Sequence, residues 1–221
     1  MLFVNLHSHS PVYSSAEIGL YNLRLEEVLL LEQPSTYFSL GIHPWFIHEQ
    51  KIEAEIALVK KETERNNVLA IGECGLDRTV NVSIKMQEKI FIAQLKWAEH
   101  LQKPVIIHCV KAFPELIAIK KQVKPTVPLI IHGFNNNLII LEQLLKNGFY
   151  FSLGAALRHP GSNASQSIKR IPIERLFLET DDQNVPILAI FAVASERLNC
   201  SVEELKAQCW QNFQRIVHPS I

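Results

Sequence analysis

Three observations predict an α/β protein, a compact TIM-type (β/α)8 barrel: repeated buried strands, helical segments between them, and five apolar runs that each lead into a metal-binding residue type. The five runs are LFVNL before His7-Ser8-His9, VLAIG before Glu73, PVII before His108, PLII before His132 and LFLET before Asp181. Strands of a parallel barrel are covered on both faces, so they read as continuous apolar runs, and functional side chains gather at their C-terminal ends. One such run carries no information. Five with compatible ligand types imply a metal-dependent hydrolase.

Taken in order, strands are expected over residues 2–6, 18–23, 37–42, 68–72, 104–107, 128–131, 149–153 and 176–179. Each is short, and most are rich in β-branched or aromatic residues. The longest helices between and after them are expected over 49–66, 83–102, 137–147 and 201–218. In the second, Ile84, Gln87, Ile90, Phe91, Gln94, Leu95 and Ala98 recur with helical spacing, and Ser83 is placed to cap the first turn. About ten residues separate His7 from the second strand, too few for an ordinary crossover, so a helix is expected to be missing there. Ser14-Ser15 and Gly161-Ser162-Asn163 read as loops. No linker, repeat or low-complexity tract interrupts the chain, and residues 1–221 are expected to form a single barrel domain.

The composition, 48% hydrophobic and 20% charged over 221 residues, is that of an ordinary globular enzyme. No apolar run approaches the ~18 residues of a membrane span. Strand-like residues begin at once with no basic segment before them, so no signal peptide is expected. Cys74, Cys109, Cys200 and Cys209 lack CxxC spacing, which predicts reduced thiols in a cytoplasmic protein. The 22 basic and 22 acidic residues cancel. A protein gripping long duplex DNA carries a basic excess, so any nucleic-acid or nucleotide substrate is expected to be held locally, at the site itself. The sequence names no protein partner and no membrane.

His7 and His9 stand two apart in extended backbone, so both imidazoles can face one ion, although an isolated HxH also describes ordinary surface or core histidines. Glu73 places a carboxylate at a strand end, where burial is costly unless it is paired or metal-bound, and its two oxygens can bridge two ions. His108 and His132 close runs of nearly identical build, Pro-Val-Ile-Ile-His and Pro-Leu-Ile-Ile-His. Each alone could be a satisfied core histidine; their parallel placement favours ligation. Asp181 closes the last run, in a position that suits a helix cap or a ligand and general base. His43 is a candidate for contact with a phosphate or leaving group, Trp45 for stacking on a base, and Lys111 for a nearby positive charge. Each has an equally simple structural or solvated alternative. Asp77 is read as structural, or as an acceptor fixing a ligand histidine. Cys74 and Cys109 should face away from any ion by strand alternation. His48, His100, His159 and His218 have no constellation around them.

These segments together resemble the TatD-related metal-dependent hydrolases, deoxyribonuclease-like members of the amidohydrolase superfamily. The matching residues are His7-Ser8-His9, Gly41-Ile42-His43-Pro44, Gly72-Glu73-Cys74-Gly75-Leu76-Asp77, Gln87 with Phe91 and Gln94, 104–108, His132-Gly133-Phe134, Glu179-Thr180-Asp181 and, near the end, Asn212-Phe213. The resemblance implies a barrel with two divalent ions and phosphodiester hydrolysis. It places His7, His9 and Asp181 on one ion, His108 and His132 on the other, and Glu73 between them. The chain departs from the family's usual pattern at Asn5 (Asp), at Val110 (Arg) and at Asn135-Asn136 (often a hydroxyl residue and Gly). It also departs in the short Asp182-Gln183-Asn184-Val185 stretch before Pro186, where nuclease members carry a longer loop. The metal ligands are complete, and substrate recognition is expected to differ.

The chemistry expected is hydrolysis by a water activated between two ions, with Glu73 and Asp181 as catalytic carboxylates and Asp181 as base. Zn, Mn, Mg and Fe all suit the donors. The favoured substrate is a nucleic-acid end or short nucleotide. The alternatives are an esterase or deacylase acting, for example, on aminoacyl-tRNA, and a barrel that binds metal without turnover.

Overall fold

A computed structural model of the protein describes residues 1–10, 15–33 and 36–217. Ser14 of the expected first loop and His218 lie outside the described residues. The elements are β1 (Phe3–Ser8), β2 (Glu17–Leu23), β3 (Tyr37–Leu40), α1 (Ile52–Glu62), β4 (Val68–Asp77), α2 (Ile84–Leu101), β5 (Val105–Val110) and α3 (Phe113–Val123). There follow β6 (Leu129–Ile131), α4 (Leu138–Lys146), β7 (Tyr150–Leu153), α5 (Asn163–Ser167), β8 (Leu176–Leu178), α6 (Ile187–Leu198) and α7 (Val202–Ile216). Strand order in the sheet follows chain order from β1 to β8. No helix occurs among the described residues between β1 and β2, of which 11–14 are not part. No described helix is long and apolar enough to cross a membrane.

The chain packs as two compact units, residues 1–21 with 130–221, and residues 22–129. In the first, β1 pairs in parallel with β2, placing Asn5 opposite Gly19, and β7 pairs with both β6 and β8. Beyond the end of β8, Ser8 and Asp181 form a bridge in which Asp181 N–H donates to His7 O and His9 N–H donates to Asp181 O, both at 3.0 Å. The C-terminal helices cover this side: Phe191 of α6 meets Phe3 edge-on at 5.1 Å, and α7 packs on β1 and β8. Asn212 of α7, fully buried, donates through Nδ2 to the carbonyls of Ile173 (2.8 Å) and Leu176 (2.9 Å), satisfying the entrance to β8. Ser201 and Glu204 form a reciprocal capping box that starts α7.

In the second unit β4 pairs in parallel with β3 and β5, and α2 lies on β4. Ser83 caps α2 by accepting the Met86 N–H. The buried face of α2 is the one the spacing predicts, including two glutamines whose amides are used on backbone. Gln94 accepts the Ile42 N–H at 2.7 Å and donates to Ile42 O at 3.2 Å. Gln87 accepts the Asp77 N–H at 2.7 Å and donates to Asp77 O at 2.9 Å and Val82 O at 2.8 Å.

The strand boundaries differ from expectation in one way that matters. Glu73 and His108 do not end their strands; β4 runs on to Asp77 and β5 to Val110, with Gly75 opposite His108 and Asp77 opposite Val110. Glycines allow it. At Gly75 (φ 149°) an added Cβ would stand 2.0 Å from the His108 carbonyl oxygen. Gly75→Ala is therefore expected to destabilise the protein by about 2–5 kcal/mol, from backbone strain and overpacking together. Calorimetry checks this, and an unchanged melting temperature would contradict the close approach. The expected helices at 49–66 and 201–218 begin a few residues later or end earlier, the first as Ile52–Glu62.

Candidate metal centre

In the first unit β1 delivers His7, fully buried, and His9 lies just past the strand end. The segment after β8 delivers Asp181, and the segment after β6 delivers His132. Donor atoms of His7, His132 and Asp181 lie within 4.8 Å of one another. Asp181 Oδ1 is 3.5 Å from His7 Nε2 and 3.4 Å from His9 Nε2, and the His7 and His132 rings are 4.4 Å apart. Asp181 reaches this position in the left-handed region (φ 55°), which Asp tolerates better than most residues. Burial pushes its carboxyl up, but contact with His7 and His9 and the charge of His132 outweigh it and hold the group well below the usual range. His132 Nδ1 stands 3.5 Å from Glu179 Oε1, which also accepts the Gly133 N–H at 2.6 Å.

The second unit holds another group. Donor atoms of His43, Glu73 and His108 lie within 4.8 Å of one another. Glu73 Oε1 is 3.1 Å from His43 Nε2 and 2.9 Å from His108 Nδ1. The Glu73 N–H is fixed at 2.7 Å by Asn22 Oδ1, which also accepts from Ser39 Oγ at 3.1 Å. His43 Nδ1 accepts the Trp45 backbone N–H at 3.1 Å, so the proton of the neutral ring sits on Nε2. His108 Nε2 lies 3.1 Å from Asp77 Oδ2. Asp77 Oδ2 also accepts the Trp45 indole N–H at 2.6 Å, and Oδ1 accepts from Thr79 N–H (2.7 Å) and Oγ (2.6 Å). Burial raises the Asp77 carboxyl, yet the Thr79, Trp45 and His108 bonds together bring it down to about 2. A carboxylate so fixed in its ionised form accepts the hydrogen bond of His108 Nε2–H and leaves Nδ1 facing Glu73 Oε1.

Lys111 follows β5 with φ 53° and is exposed; it takes part in neither donor group. Trp45 is 57% exposed and Phe46 45%, while the Trp45 polar edge is tied to Asp77. Cys74 and Cys109 make no part of either group; burial pushes the Cys109 thiol up to about 12 and the Cys74 thiol higher still. Sequence reasoning gave no role to Asn22 or Glu179. For Glu179 the signal was available, a second acid beside Asp181 in an otherwise apolar run; for Asn22 there was none.

The donors fit divalent cations. Two ligands held at about 2.1 Å by a tetrahedral ion stand roughly 3.4 Å apart. That is the spacing of Asp181 Oδ1 from the His7 and His9 nitrogens, long for a hydrogen bond. In the second unit one Glu73 oxygen stands 2.9 Å from His108 Nδ1 and 3.1 Å from His43 Nε2, a carboxylate and two imidazoles gathered closely enough to face one cation.

Parallel strands whose C-terminal ends carry imidazole and carboxylate donors define the class of metal-dependent α/β-barrel hydrolases. The chain belongs to the TatD-related DNase family, whose family model matches residues 15–218. It is 34% identical over 146 residues to an uncharacterized metal-dependent hydrolase of Buchnera aphidicola, covering 65% of this chain and 54% of that protein. It is 33% identical over 154 residues to the 3'-5' ssDNA/RNA exonuclease TatD of Pantoea ananatis, covering 67% of this chain and 58% of that protein. The chain thus matches little more than half the length of these relatives. Its fold is that of the crystal structure of YJJV, a TatD homologue from Escherichia coli K12, with a TM-score of 0.85 over 97% of both chains at 22% identity. The TIM-type barrel expected from the apolar runs is the fold observed.

Proposed function

We propose that this chain is a divalent-metal-dependent phosphodiesterase acting on nucleic-acid ends or short nucleotides, working as a single domain in the cytoplasm. One observation carries the reading: each compact unit presents its own trio of imidazole and carboxylate donors, His7–His132–Asp181 and His43–Glu73–His108. Two ions are proposed, one served by His7, His9 and Asp181 with His132 beside them, the other by Glu73 and His108, so that His132 stands with the first group instead of with His108. Zn, Mn, Fe and Mg all suit this donor set. When bound, such ions supply Lewis-acid neutralisation of phosphate charge and a lowered pKa for a nearby water.

The chain's own groups do the rest. The Asp181 carboxylate accepts the proton of the attacking water and returns it to the leaving oxygen. Asp77 holds His108 in one tautomer, so the ring needs no reorientation during turnover. His43, whose Nε2 proton faces Glu73 Oε1 at 3.1 Å, is proposed to turn that donor to a substrate oxygen once Glu73 serves an ion. Lys111 offers a positive charge to a neighbouring phosphate. The exposed Trp45 ring, its edge held by Asp77, is a stacking surface for a base.

The test is a screen on one preparation, stripped of metal and reloaded with Mg, Mn or Zn and checked by elemental analysis. Labelled single-stranded DNA and RNA, bis-nitrophenyl phosphate and simple carboxylic esters, including aminoacyl-tRNA, are the substrates. Cleavage of phosphodiesters supports the reading. Ester cleavage alone would make the protein a deacylase, and metal uptake without any turnover would make it a binding barrel. A second measurement addresses Trp45. Wild-type protein is expected to bind an oligonucleotide with an ordinary terminal base about tenfold more tightly than one with an abasic end, a stacking energy of about 1–3 kcal/mol. Trp45→Ala should lose that preference; if it persists, Trp45 does not stack.

A further inference from the structure

Asn5 lies two residues before His7 on β1 and is buried. Its amide is fully used. Oδ1 accepts the Thr180 N–H at 3.0 Å, and Nδ2 donates to Thr180 Oγ and to Glu17 Oε1, both at 2.9 Å. The orientation of the amide is fixed by this pattern, because only the oxygen can take the Thr180 N–H. Thr180 immediately precedes Asp181, whose own N–H and carbonyl are bonded to His7 and His9. The Thr180–Asp181 segment is therefore tied to β1 twice, by the main chain of Asp181 and by the side chain of Asn5.

We infer that Asn5 and Glu17 act as a matched positioning pair for Asp181, with the neutral amide at position 5 required by the carboxylate at position 17. An Asp at position 5 could still accept from both groups of Thr180. It could not donate to Glu17, and it would set two carboxylates within hydrogen-bond distance of each other, where like charges repel strongly. Glu17 already bears a burden: half burial pushes its carboxyl up, and the Asn5 bond works against that rise. The amide at position 5 and the acid at position 17 exchange a donor for an acceptor, so reversing both should restore the contact.

The inference rests on the proposed role of Asp181, and the experiment separates the two. Three variants are compared with the wild type: Asn5→Asp, Glu17→Gln, and both together. Amide hydrogen exchange at Thr180 and Asp181 is read on metal-free protein, and kcat and KM on the Mn-loaded protein with bis-nitrophenyl phosphate. Asn5→Asp alone is expected to speed exchange at both amides about tenfold and to lower kcat by about 10–100-fold with little change in KM, the range for partners that orient ligands. Glu17→Gln alone should be nearly silent, because the amide oxygen it introduces still accepts from Asn5. The double variant should recover exchange protection and kcat to within about threefold of wild type, since the amide nitrogen at position 17 can then donate to the carboxylate at position 5. A silent Asn5→Asp, or a double variant no better than Asn5→Asp, would overturn the inference. Restored exchange protection in a protein without phosphodiesterase activity would uphold the pair and remove the activity from the reading.

Discussion

The Asp181→Asn protein is expected to fold as the wild type does and to lose about a thousandfold in kcat, within the range assigned to a positioned general base. The fold should survive because the bonds that seat residue 181 are main-chain bonds to His7 and His9, and Asn accepts the left-handed conformation as readily as Asp. The substitution removes charge and basicity while keeping size. Elemental analysis run beside the kinetics distinguishes a lost proton acceptor from a lost ion, since the same oxygen faces His7 and His9. Unaltered turnover on bis-nitrophenyl phosphate would take the base role away from Asp181.

Glu73→Gln should have the second-largest effect. One oxygen of Glu73 serves both His43 and His108, and the amide keeps that shape without the negative charge. Bound metal is expected to fall, and kcat/KM to drop by roughly 10²–10³. Metal-free stability should change little, because the amide keeps an oxygen that accepts from His43 Nε2–H and carries no charge for burial to penalise. Calorimetry of stripped protein reads the stability, and titration with Mn the affinity. A variant that binds Mn as tightly as wild type would exclude Glu73 as a ligand.

Much of this was legible in the residues themselves. The apolar runs located every strand, and the helical periodicity of 83–102 located α2 and its buried face, because burial on both sides of a strand and on one side of a helix leaves distinct repeats. Boundaries were less legible where glycine intervenes. The apolar run before Glu73 ends at Gly72 in the sequence; in the fold Gly75 lets β4 continue against β5 to Asp77. Polar partners were the least legible of all. Asn22 fixes the Glu73 backbone from 51 positions away, and Asn5 meets Thr180 from 175. Contacts of that kind leave no local pattern. His43 is a candidate for substrate contact from the sequence, and its place against Glu73 depends on the pairing of β3 with β4, which no spacing in the sequence encodes.

Gln87 and Gln94 occupy α2 two turns apart, roughly 10.5 Å along its axis. One clasps the main chain of Asp77, the partner of His108, and the other that of Ile42, just before His43. The helix therefore behaves as a ruler, with its two amides as the graduation marks. Outward-facing positions on α2 are free to vary, whereas inserting or deleting a single residue between the marks would rotate one of them by about 100° and release its strand. Length, more than composition, is what this stretch of chain must keep.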